Sequence, residues 1–215
     1  MTDAASFLRA HTAVVRVPLV PEIALHLATE ITPIWEATED WLEREGVAPP
    51  FWAFAWPGSV AVARLVLDRP ELVAGRRVLD FAAGCGLAAI AAAKAGAASV
   101  EAAEIDPLAV AAIRLNAALN NAEVSALGED VVGQPCRWDR VIAGDVCYEA
   151  PMARHILPCL RGLAATGAEV WLADPGRAYV PSGGLEPVAR ITVPVTRELE
   201  DRDAREVTIS RLLPP

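Results

Sequence analysis

Short apolar runs alternate with helix-patterned stretches from residue 76 onward, and this alternation predicts the fold. The expected strands lie near residues 76–81, 99–105, 122–127, 138–144 and 168–173. The expected helices lie between them, near residues 86–95, 106–120 and 151–164. Because parallel strands joined by helices pair through right-handed crossovers, the pattern predicts a doubly wound, mostly parallel α/β sheet.

The pattern changes after Asp174, where two β-rich stretches follow at residues 186–196 and 205–213. No long helix separates them, so they are expected to form an antiparallel hairpin at the edge of a seven-stranded sheet. The connection at residues 197–205 is rich in charged side chains; it faces either a partner or solvent, and of the two we expect solvent.

The first 70 residues form an N-terminal segment with a different pattern. Prolines at positions 18, 21 and 33 interrupt it, and a helix is expected from Ile34 to Glu45. An aromatic stretch follows, and Pro57 suits the first turn of a further helix that continues to about Leu67. We therefore predict a helical and aromatic segment at residues 1–70, joined to a core at 71–215 in a single domain.

Composition narrows the functional classes. The 215 residues are 53% hydrophobic and 22% charged, which indicates a globular chain. The formal net charge of −9, without a basic block, argues against binding to nucleic acid. The four cysteines lack a Cys-x-x-Cys pair, and with three scattered histidines they form no metal signature. The absence of a signal peptide or membrane segment predicts a cytoplasmic protein, and nothing requires more than a monomer.

The segment Val78–Gly86 predicts a nucleotide site, because a buried strand runs into a glycine turn that opens a helix. Residues 84–89 match the loose pattern G-x-G-x-x-A. Asp80 ends the strand, where it would sit beside the cofactor. A carboxylate there is unfavourable near pyrophosphate and favourable near a sulfonium. These features leave two classes open: a methyltransferase that uses S-adenosylmethionine, and a dinucleotide-dependent oxidoreductase.

Val78–Gly86 resembles the first motif of class I, seven-strand methyltransferases that use S-adenosylmethionine, whose fold is Rossmann-like. Ala82 stands where that motif has its usual first glycine. Glu104 ends the next strand, where one carboxylate can accept hydrogen bonds from both ribose hydroxyls. Asp130 is the candidate acceptor for the adenine amino group, in preference to its neighbour Glu129.

The helix after Glu104 also carries predictions. Asp106 is expected to cap it, with Pro107 at its first position. Asn116 and Asn120 lie four residues apart on this helix, and we expect them to face loops or solvent.

Asp145 and Tyr148 follow the fourth strand, where ligands of doubly wound sheets bind. Together with the upstream stretch 51–58 and the segment 174–177, they resemble the lysine methyltransferases of the seven-strand class. The branch they match modifies the β subunit of electron-transfer flavoprotein and includes bacterial relatives. The resemblance implies that the methyl acceptor is a lysine on a protein, such as the electron-transfer flavoprotein β subunit or a ribosomal protein. It also implies that Asp145 orients the amine and that Tyr148 shapes its channel.

Three alternatives remain open at this point. A small-molecule N- or O-methyltransferase would share the sheet and the loop, an NAD-dependent oxidoreductase would share the glycine turn, and a non-enzymatic binding module would share the fold. Arg177 either contacts an acidic patch on a substrate or ties down its own loop. Cys85 and Cys147 are interpreted as packing residues. The candidate catalytic residues are Asp145 and Tyr148, and the candidate cofactor-binding residues are Asp80, Ala82, Gly84, Gly86, Glu104, Asp130, Trp56 and Gly58.

Overall fold

The computed structural model describes residues 4–30 and 49–215, so the helix predicted at 34–45 lies outside the described residues. The described strands are β1 (Ala13–Val17), β2 (Val20–Leu27), β3 (Arg77–Phe81), β4 (Ser99–Ala103), β5 (Ser125–Leu127), β6 (Arg140–Gly144), β7 (Glu169–Asp174), β8 (Leu185–Pro194) and β9 (Ala204–Leu212). The described α-helices are α1 (Ala4–His11), α2 (Pro57–Asp68), α3 (Leu87–Lys94), α4 (Pro107–Leu119), α5 (Ala150–Ala165) and α6 (Arg197–Glu200).

Seven of the strands form one sheet in the order β5-β4-β3-β6-β7-β9-β8. The five strands from β5 to β7 are parallel, whereas β9 runs antiparallel to both β7 and β8. This arrangement confirms the predicted mostly parallel sheet with an antiparallel edge hairpin. From β3 the chain builds outward to β4 and β5, and it then returns to add β6 on the other side of β3. The carboxyl ends of β3 and β6 therefore flank the point where strand order reverses, which is where doubly wound sheets bind ligands.

The N-terminal segment was predicted to be helical and aromatic. The structure differs, because this segment also contains an antiparallel hairpin formed by β1 and β2. The prolines at 18 and 21 obscured its alternating pattern in the sequence. In this two-stranded sheet, β2 has no second neighbouring strand, so it is an edge strand. An edge strand tolerates Pro21, which has no N–H to donate, better than a central strand would. In the described part of the chain, no helix has the length and apolar character that a membrane crossing requires.

Two asparagines tie this hairpin to α4, which corrects the expectation that Asn116 and Asn120 face loops or solvent. Asn116 is fully buried; its Oδ1 accepts from the His26 amide at 2.7 Å, and its Nδ2 donates to the Cys85 carbonyl at 2.9 Å. Asn120 bonds both backbone groups of Ala24, at 3.0 and 2.6 Å. Since Cys85 belongs to the glycine turn, Asn116 links the hairpin directly to the predicted nucleotide loop.

Replacing Asn116 with alanine is expected to lower the free energy of unfolding by about 3 kcal/mol. The change strands a buried amide and a buried carbonyl, and each unsatisfied group costs about 1–3 kcal/mol. Chemical denaturation of the variant and the parent measures the difference. Arg114→Ala is the control, because Arg114 is an exposed residue of the same helix; an equal loss in both variants would contradict the assigned role.

Candidate functional site

A cavity of about 690 Å³ opens at the carboxyl ends of β3, β4 and β6. The aromatic stretch before α2 and the first turns of α5 complete its walls. The sequence-predicted site residues that line it are Trp56, Ala82, Gly84, Glu104, Asp130, Asp145 and Tyr148. Asp80, Gly86 and Gly58 lie outside this lining, behind the residues that form the wall.

The glycine turn leaves open space beside the cavity. Gly84 has a φ of +55°, and a Cβ built there would meet nothing within 4 Å. Gly86 has a φ of +79° and precedes α3; a Cβ there would lie 3.3 Å from Ile113. The backbone at Gly84 is thus exposed for close approach by a ligand, whereas Gly86 is needed for the packing of α3 against α4.

Ala82 adopts a left-handed backbone with a φ of +53°, which explains why glycine is usual at this place in the motif. The Cβ of an L-residue in this region costs roughly 1–2 kcal/mol. We therefore expect Ala82→Gly to raise the free energy of unfolding by about 1 kcal/mol, after the greater freedom of glycine in the unfolded chain is deducted. Chemical denaturation checks this, with Ala83→Gly as the control. A loss of stability in Ala82→Gly would show that the strain is absent.

Asp80 joins the end of β3 to the first turn of α3 through a buried hydrogen bond. The side chain is 1% exposed, and its Oδ2 accepts a hydrogen bond from the Ala89 amide at 2.9 Å, in the first turn of α3. Burial raises the pKa of Asp80 to about 8, against the opposing effect of that amide. Asp80 is not among the residues that line the cavity, and its carboxyl lies between the turn and α3, so its role in cofactor binding stays a prediction. The strand pattern located the residue correctly and did not show that its side chain turns inward.

Glu104 lines the cavity with both carboxylate oxygens near backbone donors. Its Oε1 accepts from the Gly84 amide at 2.9 Å, and its Oε2 accepts from the Ile105 amide at 3.1 Å. Burial raises the pKa of Glu104, and these two amides act in the opposite direction. Each oxygen keeps a free lone pair, so the carboxylate can accept two further hydrogen bonds. Asp106 caps α4 as predicted, since its Oδ1 accepts from the Leu108 amide at 2.8 Å.

Asp130 stands at the rim of the same cavity. Its Oδ1 accepts from the Val132 amide at 2.9 Å, and its Oδ2 lies 3.0 Å from Nε2 of His155. His155 projects from α5 and also lines the cavity, although the sequence pattern did not assign it to the site. The sequence around a surface histidine on an amphipathic helix does not indicate which strand end the side chain faces in the fold.

Asp145 is buried at the base of the cavity, with 7% of its surface exposed and a φ of +55°. Its Oδ1 accepts two hydrogen bonds from Arg177, from Nε at 2.9 Å and from Nη2 at 2.7 Å. Its Oδ2 accepts from the Gly58 amide in the first turn of α2. Desolvation raises the pKa of Asp145 to about 6, and Arg177 and the Gly58 amide oppose that effect. The carboxylate therefore caps α2 and still faces the cavity.

Gly58 makes this contact possible, and its role in cofactor binding stays a prediction. A Cβ at Gly58 would lie 2.6 Å from the Ala173 carbonyl and 2.7 Å from Oδ2 of Asp145. A Cβ at Gly144 would lie 2.9 Å from the Ser59 amide. The absence of side chains at both positions lets the first turn of α2 approach the ends of β6 and β7.

Aromatic side chains form the mouth of the cavity. The Tyr148 ring is 5.3 Å from the ring of Phe51, which is 5.9 Å from the ring of Trp56. Trp56 is held by a hydrogen bond from its Nε1 to the Phe51 carbonyl at 2.7 Å. Tyr148 is 38% exposed, and burial of its hydroxyl raises its pKa to about 12, so the hydroxyl stays protonated. Such rings suit an alkyl chain that ends in an amine, because they pack on methylenes and attract cations.

We expected the charged connection between β8 and β9 to face solvent, but part of it is buried. Glu200 is 4% exposed and bonds Arg177, with its Oε1 2.5 Å from Nη2. Arg177 ties down its own loop region by joining Asp145 to Glu200, which agrees with one of its two predicted roles. Cys85 and Cys147 are buried free thiols whose pKa burial raises to about 12, as packing residues require. Within the described residues, no group of three or more His, Cys, Asp or Glu side chains is placed to hold a metal ion.

Comparison with known proteins identifies the family. Residues 65–144 match the model of the ribosomal protein L11 methyltransferase (PrmA) family. The chain is 39% identical over 212 residues to the electron transfer flavoprotein beta subunit lysine methyltransferase of Xenopus laevis, covering 95% of this chain and 85% of that protein. It is 40% identical over 164 residues to the protein of that name from Danio rerio, covering 74% and 62%.

A solved structure shows the same fold at lower identity. The ribosomal protein L11 methylase of Lactobacillus delbrueckii subsp. bulgaricus superposes with a TM-score of 0.53 at 20% identity, covering 75% of this chain and 81% of that one. The Xenopus laevis relative carries the assignment, since it spans nearly all of the chain. The chain therefore belongs to the family of the electron transfer flavoprotein beta subunit lysine methyltransferases, and it is an S-adenosylmethionine-dependent methyltransferase.

Proposed function

We propose that this enzyme methylates the side-chain nitrogen of a lysine on the β subunit of electron-transfer flavoprotein. The observation that carries the proposal is the 39% identity to the Xenopus laevis enzyme across 95% of the chain, which includes the cavity and its mouth. The match to the ribosomal L11 methyltransferase family ends at Gly144, one residue before Asp145. That match therefore covers the cofactor half of the site and does not favour a ribosomal acceptor.

The residues of the cavity fit S-adenosylmethionine. Glu104 offers two oxygens to the ribose hydroxyls, and the open backbone at Gly84 and Ala82 leaves room for the methionine portion. Asp130 is our candidate for the adenine end, where its exposed carboxylate can exchange its His155 contact for the amino group. Asp80 and Gly86 would act indirectly, by holding the turn against α3. No pyrophosphate partner is needed, and the carboxylates around the cavity favour a cationic cofactor.

Bound S-adenosylmethionine supplies a methyl group on a positively charged sulfur. A neutral lysine nitrogen would accept that methyl group, and the electron pair of the broken carbon–sulfur bond would stay on sulfur as S-adenosylhomocysteine. Positive charge then appears on the lysine nitrogen, which afterwards releases a proton to solvent. Asp145 accepts an N–H of the amine, and its negative charge stabilises the charge that develops there. Tyr148 lines the lysine channel with its ring and fixes its direction.

A small-molecule acceptor is the alternative that shares this cofactor. An enclosed pocket would favour it, whereas the mouth of this cavity is formed by side chains that reach the surface: Tyr148 is 38% exposed and Ile105 is 73% exposed. An open aromatic mouth admits a side chain that remains attached to a protein surface. We also retain the prediction of a monomeric cytoplasmic enzyme. We further predict that it does not bind nucleic acid, which the net charge of −9 supports.

Methyl-labelled S-adenosylmethionine tests this proposal. The purified enzyme is incubated with a cell extract that is then separated into protein, nucleic-acid and small-molecule fractions. We expect label in one or a few protein bands, among them the flavoprotein β subunit, with the label on lysine after digestion. Label confined to the small-molecule fraction would support the alternative acceptor class. Asp145→Asn run in parallel separates enzymatic labelling from background.

A further inference from the structure

Glu200 is a buried carboxylate that the proposed reaction does not use. It ends the short helix α6 in the connection between β8 and β9, and only 4% of it is exposed. Its neighbour Leu199 lines the cavity. The connection between the two closing strands therefore folds inward against the site, although most of its residues are charged and exposed.

Glu200 accepts hydrogen bonds from the Arg177 guanidinium, which also donates to Asp145. Its Oε1 is 2.5 Å from Nη2 of Arg177, and its Oε2 is 3.1 Å from Nη1. The other edge of the guanidinium, through Nε and Nη2, meets Oδ1 of Asp145. On its far side Glu200 accepts from Nε of Arg205 at 2.7 Å. Because Arg177 is planar and held along two edges, it has one orientation, and so has the Asp145 oxygen that it binds.

The arrangement also sets the charge beside the cavity. An isolated guanidinium at this place would repel both a sulfonium and a lysine ammonium, and it would draw electron density from Asp145. Glu200 adds a second negative charge beside Arg177, and the Arg205 guanidinium on its far side compensates part of that charge. Burying charges is costly unless each charge is paired. The bond between Arg177 and Asp145 would be enough to anchor the loop that carries Arg177. The second carboxylate thus has a consequence for the reaction site that loop anchoring does not require.

We propose that Glu200 is a positioning residue for methyl transfer: it fixes Arg177 against Oδ1 of Asp145 and offsets the Arg177 charge beside the acceptor amine. This inference rests on the proposed function, because it assigns a task to Asp145. The groups that face Asp145 are Arg177 and Asp174 from the end of β7, Cys147 from its own loop, and the Gly58 amide of α2.

The test compares Glu200→Gln with Asp203→Asn. Glutamine has the shape of Glu200 without its charge, whereas Asp203 pairs with Arg197 on the surface of the same connection, with side chains 74% and 75% exposed. We expect Glu200→Gln to lower kcat/KM for the protein acceptor about tenfold, the effect of one pKa unit of lost stabilisation. Its dissociation constant for S-adenosylhomocysteine should stay within about twofold of the parent, since Glu200 stabilises the acceptor side of the site. Asp203→Asn should match the parent in both.

A pH profile separates positioning from mere packing. Without the charge of Glu200, the positive charges of Arg177 and Arg205 are no longer offset by that carboxylate. Both lower the pKa of Asp145, so the acidic break in kcat/KM moves to lower pH in Glu200→Gln. Glu200→Asp keeps the charge on a shorter side chain; it should keep the parental break and regain part of the rate, and it replaces the first variant if that one does not fold. An active parent with equal rates and breaks in both Glu200 variants would overturn this inference alone. A parent that methylates no lysine would overturn the proposed function and this inference together.

Discussion

Replacing Asp145 with asparagine is expected to reduce methyl transfer to lysine by about 100- to 10,000-fold, the range typical of a positioned polar group in catalysis. Asparagine keeps the volume of the side chain and removes the negative charge that the developing ammonium needs. Cofactor binding should change little, because Glu104, on a different strand, is the candidate that meets the ribose. Single-turnover rates and the dissociation constant of S-adenosylhomocysteine measure the two effects separately.

The same carboxylate predicts a pH dependence. The neutral lysine is needed throughout, so log(kcat/KM) rises with pH with a slope of about one below the lysine pKa of about 10.4. Burial raises the pKa of Asp145 to about 6, and only its ionised form helps the amine. The slope should therefore steepen as pH falls through about 6 in the parent enzyme and stay at one in Asp145→Asn. Normal turnover by Asp145→Asn, or identical profiles, would remove Asp145 from the mechanism.

Replacing Glu104 with glutamine should weaken binding of S-adenosylhomocysteine about 100-fold. The charge-assisted hydrogen bonds to the ribose are lost, and each is worth about 1.5–3 kcal/mol. The new amide group would also face a backbone donor, either that of Gly84 or that of Ile105, where the carboxylate accepts from both. Isothermal titration calorimetry measures the change in affinity directly.

The Glu104 variant is the counterpart of the Asp145 variant. With enough cofactor to saturate the weakened site, Glu104→Gln should recover a rate close to that of the parent, whereas Asp145→Asn should not. Glu101→Gln is a matched control, since Glu101 lies on β4, the strand directly before Glu104, and bonds Arg137 and the Trp138 indole away from the cavity. Unchanged cofactor affinity in Glu104→Gln would show that this carboxylate does not hold the cofactor.

Sequence pattern predicted the parallel core well because local rules govern it. Buried strands such as β6 and β7 carry continuous apolar runs, and the turn after β3 has glycines at positions with a positive φ. The hairpin of β1 and β2 was missed because prolines interrupt its alternation. Its attachment depends on Asn116, a polar residue whose burial is decided by a partner 90 positions earlier in the chain.

The acceptor half of the site depends on long-range contacts, which is why its composition was only partly predicted. Asp145 and Tyr148 follow a strand end and carried a recognisable motif. The partner Glu200 comes from a run of charged residues, and charged runs are ordinarily exposed. Its burial follows from Arg177, which lies 23 positions away. The direction of the Asp80 side chain likewise depends on how α3 returns across the turn.

We propose that this enzyme transfers a methyl group from S-adenosylmethionine to a lysine of the electron-transfer flavoprotein β subunit. Mass spectrometry of the purified β subunit after incubation with the enzyme and the cofactor tests it most directly. We predict mass increases in steps of one methyl group, located on lysine by peptide fragmentation and absent with Asp145→Asn. An unmodified β subunit, with an enzyme that binds the cofactor normally, would contradict the claim.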